Sequence, residues 1–129
     1  MFEKIMHNGD ILAVLLRSSY HMPEGIQFFT PNDFSQQLGF FSHPKGHNIK
    51  PHVHNPVPRQ VHYTKEVLFI KSGKIRVDFY DDQFAYLKSR ILESGDVILL
   101  AFGGHGFQML EPSEIVEVKL RRRARQNSF

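Results

Sequence analysis

Residues 74–80, KIRVDFY, alternate strictly between apolar and polar side chains: Ile75, Val77 and Phe79 against Lys74, Arg76, Asp78 and Tyr80. An extended chain points successive side chains to opposite faces. This stretch therefore predicts a strand with one face on a core and the other in water. EIVEVKL (114–120) alternates in the same way and predicts a second such strand, with Val116, Val118 and Leu120 facing inward. EVLFI (66–70) and DVILLAF (96–102) are apolar at nearly every position, the pattern of strands covered on both faces.

Turn-forming clusters cut these runs at short intervals: KSGK (71–74), YDDQ (80–83), ESGD (93–96), FGGHG (102–106) and EPSE (111–114). Many short strands with regular turns predict an all-β sandwich or barrel. TPNDFSQQL (30–38) is the one segment with plausible helix-capping residues, and it predicts a single short helix. HNPVPRQ (54–60), with two prolines, is expected to be a loop excursion between strands. With no internal repeat or linker, residues 1–120 are expected to form one domain, followed by a basic tail at 121–129.

A chain of 129 residues is enough for one domain with a substantial core. With 41% hydrophobic and 22% charged residues, the composition is that of an ordered globular protein. There is no cysteine, which excludes disulfides and thiolate ligands, so any metal must be held by nitrogen and oxygen. ILAVLL (11–16) is shorter than a signal-peptide core of ~7–15 residues and far shorter than a membrane span of ~20. The expected location is the cytoplasm. The formal net charge of +3 is concentrated in the tail RRRARQNSF (121–129), which holds four arginines; the remaining chain has 12 basic and 13 acidic residues. A near-neutral body of this kind suggests no specific nucleic-acid partner and no membrane partner.

Histidine is gathered in one place. His43, His47, His52, His54 and His62 are five of the eight in the chain, and the segment ends at Glu66. His52 and His54, two residues apart, share a face if that segment is a strand. Glu66 opens the next strand and meets them if that strand returns alongside. His105 lies in the glycine-rich FGGHGF (102–107), where close backbone approach is possible. Three histidines and one glutamate suit a divalent Fe, Mn, Ni, Co or Zn ion with positions open to water or substrate. His43 and His47 are expected to face solvent.

These residues also fall in a spacing that resembles the two signatures of the cupin family. Gly46, five residues, His52-Val53-His54, then Glu66, six residues and Gly73 follow the first. Gly95, five residues, Ala101 in the proline position, Phe102, Gly103, Gly104 and His105 follow the second. Eleven residues separate His54 from Glu66 where the family has three or four, and His105 comes one residue early. The long insertion leaves His62 as an alternative ligand to Glu66. The resemblance spans about residues 40–120. It implies a double-stranded β-helix, or jelly-roll, barrel with an N-terminal strand extension. It also implies pairing into a homodimer, for which the segment around ILAVLL is a natural strand.

The expected function is a metal-dependent enzyme acting on a small polar metabolite or sugar derivative, of isomerase, oxygenase or lyase type. Resemblance to small cupins of sugar and surface-polysaccharide metabolism points to the carbohydrate. Arg59, Tyr63 and Gln108 flank the ligand set and are the candidates for substrate contact, with Arg59, His62 and Tyr63 the candidates for catalysis. Two alternatives stay open. One is a metal-free sugar isomerase or epimerase using a histidine base, His52 or His62, and Tyr63 as acid. The other is a non-catalytic small-molecule-binding module. Phe69, Phe79, Phe102 and Phe107 are expected in the core.

Overall fold

The computed structural model describes residues 1–54 and 65–119. These form ten strands and no helix: β1 (Phe2–His7), β2 (Asp10–Leu16), β3 (Gly25–Phe28), β4 (Gly39–Ser42), β5 (Glu66–Ser72), β6 (Lys74–Tyr80), β7 (Tyr86–Glu93), β8 (Val97–Leu100), β9 (Gly104–Met109) and β10 (Glu114–Lys119). The chain divides into two compact units, one of residues 1–20 with 63–129 and one of residues 21–62.

The first unit carries two antiparallel sheets. One has the strand order β1-β2-β8-β5-β10 and the other β7-β6-β9. β6 keeps the alternation of its sequence: Ile75, Val77 and Phe79 are buried to 1% exposure or less. They pack with Leu12, Leu15, Leu68, Ile70, Ile98 and Leu100 of the five-stranded sheet in one shared core. β2 is paired on both edges, by β1 and β8, so ILAVLL is an interior strand of the sheet. The apolar runs behave differently from one another. β8 is buried on both faces at Ile98, Leu99 and Leu100, whereas β5 buries Leu68 and Ile70 but leaves Phe69 40% exposed. Phe69 is therefore not a core residue. Phe79 is, and Phe102 and Phe107 are partly buried against the core.

The chain crosses from one sheet to the other at Gly73, between β5 and β6. Its φ of +96° is strained for any other residue, and a Cβ there would lie 2.5 Å from the Pro112 carbonyl oxygen and collide with Ser113. The ESGD turn is held by Asp96, only 4% exposed. Its carboxylate accepts bonds from Arg17 Nη1 and from the backbone N–H groups of Ser18 and Glu93.

β10 turns the opposite way from its expected face. It pairs with β5 so that Ile115 lies opposite Ile70, Glu117 opposite Leu68 and Lys119 opposite Glu66. Directly paired residues share a face, so Ile115, Glu117 and Lys119 follow the inward side of β5. Val116 and Val118 are 49% and 57% exposed. Leu120 lies outside the described residues.

The second unit contains the hairpin of β3 and β4, paired from Gly25 opposite Ser42 to Phe28 opposite Gly39. The helix expected over 30–38 is absent; this segment is a looped turn. Thr30 Oγ1 accepts the Leu38 N–H, and the Gln37 amide donates to the carbonyls of Pro31 and Phe34. Side-chain bonds of this sort replace the helical ladder with local closure.

Candidate functional site

At the margin of the first unit, β10 ends one sheet and β9 ends the other. Between these two strands opens a pocket of about 590 Å³. Glu66 and Leu68 of β5 and Ile115 and Glu117 of β10 form one wall. His105, Phe107 and Met109 of β9 form the other. His105 is directed inward because it lies opposite the buried Phe79 in the β6–β9 ladder. Glu66 is directed inward because it lies two residues before buried Leu68.

Glu66 and His105, 39 positions apart in sequence, meet here. His105 Nε2 is 3.2 Å from Glu66 Oε1, with the two side chains 21% and 14% exposed. An ionised carboxylate accepts only, so Nε2 carries the donated proton. The hydrogen bond from His105, outweighing burial, pulls the Glu66 carboxyl from the usual carboxylate range down to about 2. Glu117 is pushed the other way, first by its hydrogen bonding to Glu66, which favours its protonated form, and next by burial. Its Oε1 lies 3.4 Å from Lys119 Nζ. Each carboxylate thus has one oxygen beside a nitrogen partner. The remaining oxygens, Glu66 Oε2 and Glu117 Oε2, are buried and without a hydrogen-bond donor while both groups are ionised.

Glu117 is absent from the sequence expectations. Its acid stands in the middle of an alternating strand, where parity alone assigned it to the solvent face. Only the pairing of β10 with β5 turns it toward Glu66.

The remaining expected residues are distributed as follows. His52 and His54 belong to the second unit. Their segment is not a strand; both are exposed, with ring centroids 5.1 Å apart at 80°, and His52 Nδ1 lies 3.0 Å from the Lys50 carbonyl oxygen. In the same unit His43 stacks on His47 at 3.8 Å. Both ring nitrogens of His43 are buried without a partner among the described residues, so His43 does not face solvent as expected, while His47 does. Gln108 sits on the opposite face of β9 from His105, where its Oε1 accepts from Arg76 Nη2 at 2.9 Å. Arg59, His62 and Tyr63 lie outside the described residues.

An imidazole beside a carboxylate with an orphaned, buried oxygen is a nitrogen-and-oxygen pairing of the kind a divalent cation takes once the ring nitrogen gives up its proton. Among the described residues no group of three or more His, Cys, Asp or Glu side chains stands ready to hold one. No helix among the described residues is long and apolar enough to cross a membrane. Compared with protein-family models, curated proteins and solved structures, the chain matches none of them.

Proposed function

We propose that this protein is a cupin-type metal-dependent enzyme acting on a small polar metabolite or sugar derivative, with its chemistry centred on Glu66 and His105. One observation carries the reading. Two residues singled out separately, by two different signatures, form a hydrogen-bonded pair inside a pocket. Antiparallel all-β architecture supports the jelly-roll part of the reading. His52 and His54 are the further ligands that the cupin spacing implies, with His62 as the alternative to Glu66. When bound, a divalent Fe, Mn, Ni, Co or Zn ion supplies Lewis acidity at the substrate oxygen.

The chain's own residues do the rest. Glu66 fixes the orientation of the His105 imidazole. Leu68, Phe107 and Ile115 exclude water from the inner end of the pocket, which strengthens every polar interaction there. Glu117, braced by Lys119, presents a second carboxylate toward the bound molecule. In this reading the protein is a cytoplasmic homodimer with no nucleic-acid or membrane partner.

Elemental analysis of the purified protein tests the proposal. The parent is expected to hold near-stoichiometric metal. The His52→Ala/His54→Ala and Glu66→Ala/His105→Ala double variants, checked for folding by circular dichroism, are expected to hold none. A parent that takes up no metal after reconstitution with each ion in turn overturns it.

A metal-free isomerase or epimerase is the second reading. The Glu66–His105 pair favours it, because a carboxylate that fixes an imidazole is the arrangement of a general base. His52 or His62 with Tyr63 remain the other candidates for base and acid. In this case turnover survives a chelator, and it disappears in His105→Ala.

A further inference from the structure

On the outer face of the three-stranded sheet, away from the Glu66–His105 pocket, lies a second cleft of about 430 Å³ lined by Arg76, Asp78, Tyr80, Tyr86 and Ser89. The ladder explains why these residues gather. Tyr80 pairs with Tyr86, and Asp78 with Ser89, across β6 and β7. On the other side, Tyr80 and Asp78 are opposite Gly104 and Gly106 of β9. Two successive outward positions on β9 therefore carry no side chain. Strand glycines often mark the close approach of another group, and here the Tyr80 ring leans over Gly106, 3.8 Å from where a Cβ would stand. Tyr86 meets Tyr80 at 5.9 Å and 73°. The two rings make an aromatic corner.

The polar floor beside that corner is organised in advance. Asp78 receives Arg76 through both oxygens, at 2.8 and 3.1 Å, and also accepts from Ser89 Oγ. The Tyr86 and Ser89 hydroxyls are 2.8 Å apart. Arg76 is further tied to Gln108. Among the described residues, Arg76 Nη1 and the Tyr80 hydroxyl make no hydrogen bond, which leaves donors at the rim. Arg76 and Asp78 cancel in charge, so the cleft suits a neutral ligand.

We propose that this cleft binds a neutral pyranose ring, its C–H face on the tyrosine corner and its hydroxyls on the Arg76–Asp78–Ser89 row. A saturated ring with one apolar face and a polar edge matches an aromatic wall beside fixed donors and acceptors. The site lies on the opposite face of the sheet from His105 and does not depend on metal.

The chain has four tyrosines and no tryptophan, and two of the four, Tyr80 and Tyr86, line the cleft, so tyrosine emission carries a signal from it. The experiment titrates the full chain with methyl gluco-, galacto- and mannopyranoside at millimolar concentration. At least one is expected to give a saturable change. Tyr86→Ala, at a 59% exposed position, is expected to weaken it about tenfold through loss of a stacking partner. Arg76→Met is expected to weaken it similarly, and Glu66→Gln to leave it unchanged. Circular dichroism verifies that the variants fold. The proposal is overturned by the absence of saturation with all three sugars, by full binding in both cleft variants, or by loss of the signal in Glu66→Gln.

Discussion

Glu117 faces another carboxylate inside a largely apolar pocket, and this costs stability whenever both are ionised. Its ionisation is disfavoured in the folded chain, so the penalty grows as pH rises through the ordinary carboxylate range. In chelator-treated protein, Glu117→Gln is therefore expected to raise Tm at neutral pH by a few degrees, with no gain at acid pH. Thermal melts at both pH values check this. Glu66 has the opposite sign. Its carboxyl is held down at about 2 by His105, so its stabilising contribution is complete above the ordinary range and fades as pH falls toward that value. Urea midpoints of the chelated protein should accordingly fall less steeply with acidification in Glu66→Gln than in the parent. At Gly73 the argument is steric. Gly73→Ala combines a positive φ with contact to the Pro112 and Ser113 backbone, and is expected to cost about 2 kcal/mol or more in denaturant unfolding.

β10 shows where reading from sequence stops. In β6 one face is wholly apolar and the other wholly polar, so a single parity is possible. In 114–120 the even positions offer Val116, Val118 and Leu120, while the odd ones offer Ile115, Glu117 and Lys119. Local hydrophobicity then favours the even face. Pairing with β5 overrides it, because a pocket wall accepts an acid and a lysine that an ordinary core rejects. Substitution tests the reversal: Ile115→Ala is expected to cost about 1–3 kcal/mol, and Val118→Thr less than about 0.5 kcal/mol, by urea denaturation. Elsewhere the outcome follows the same logic. Glu66 and His105 stand out in the sequence because glycine spacings flank them. The turn at 30–38 does not, since Thr30 and Gln37 bond to backbone that a helix would have used.

At the scale of the first unit, strand content and antiparallel pairing follow from alternation and turn spacing. The meeting of Glu66 with His105 depends on two sheets coming together, which no local pattern encodes. The pocket walls belong to different sheets, with β9 at the margin of one and β10 at the margin of the other. No backbone ladder joins these two strands, and the Glu66–His105 bond spans the gap between the sheets. The pair is therefore a direct polar tie between two sheets that also meet through their shared apolar core. Cutting that tie in His105→Ala is expected to speed amide hydrogen exchange along β9 and β10 while the core strands stay protected.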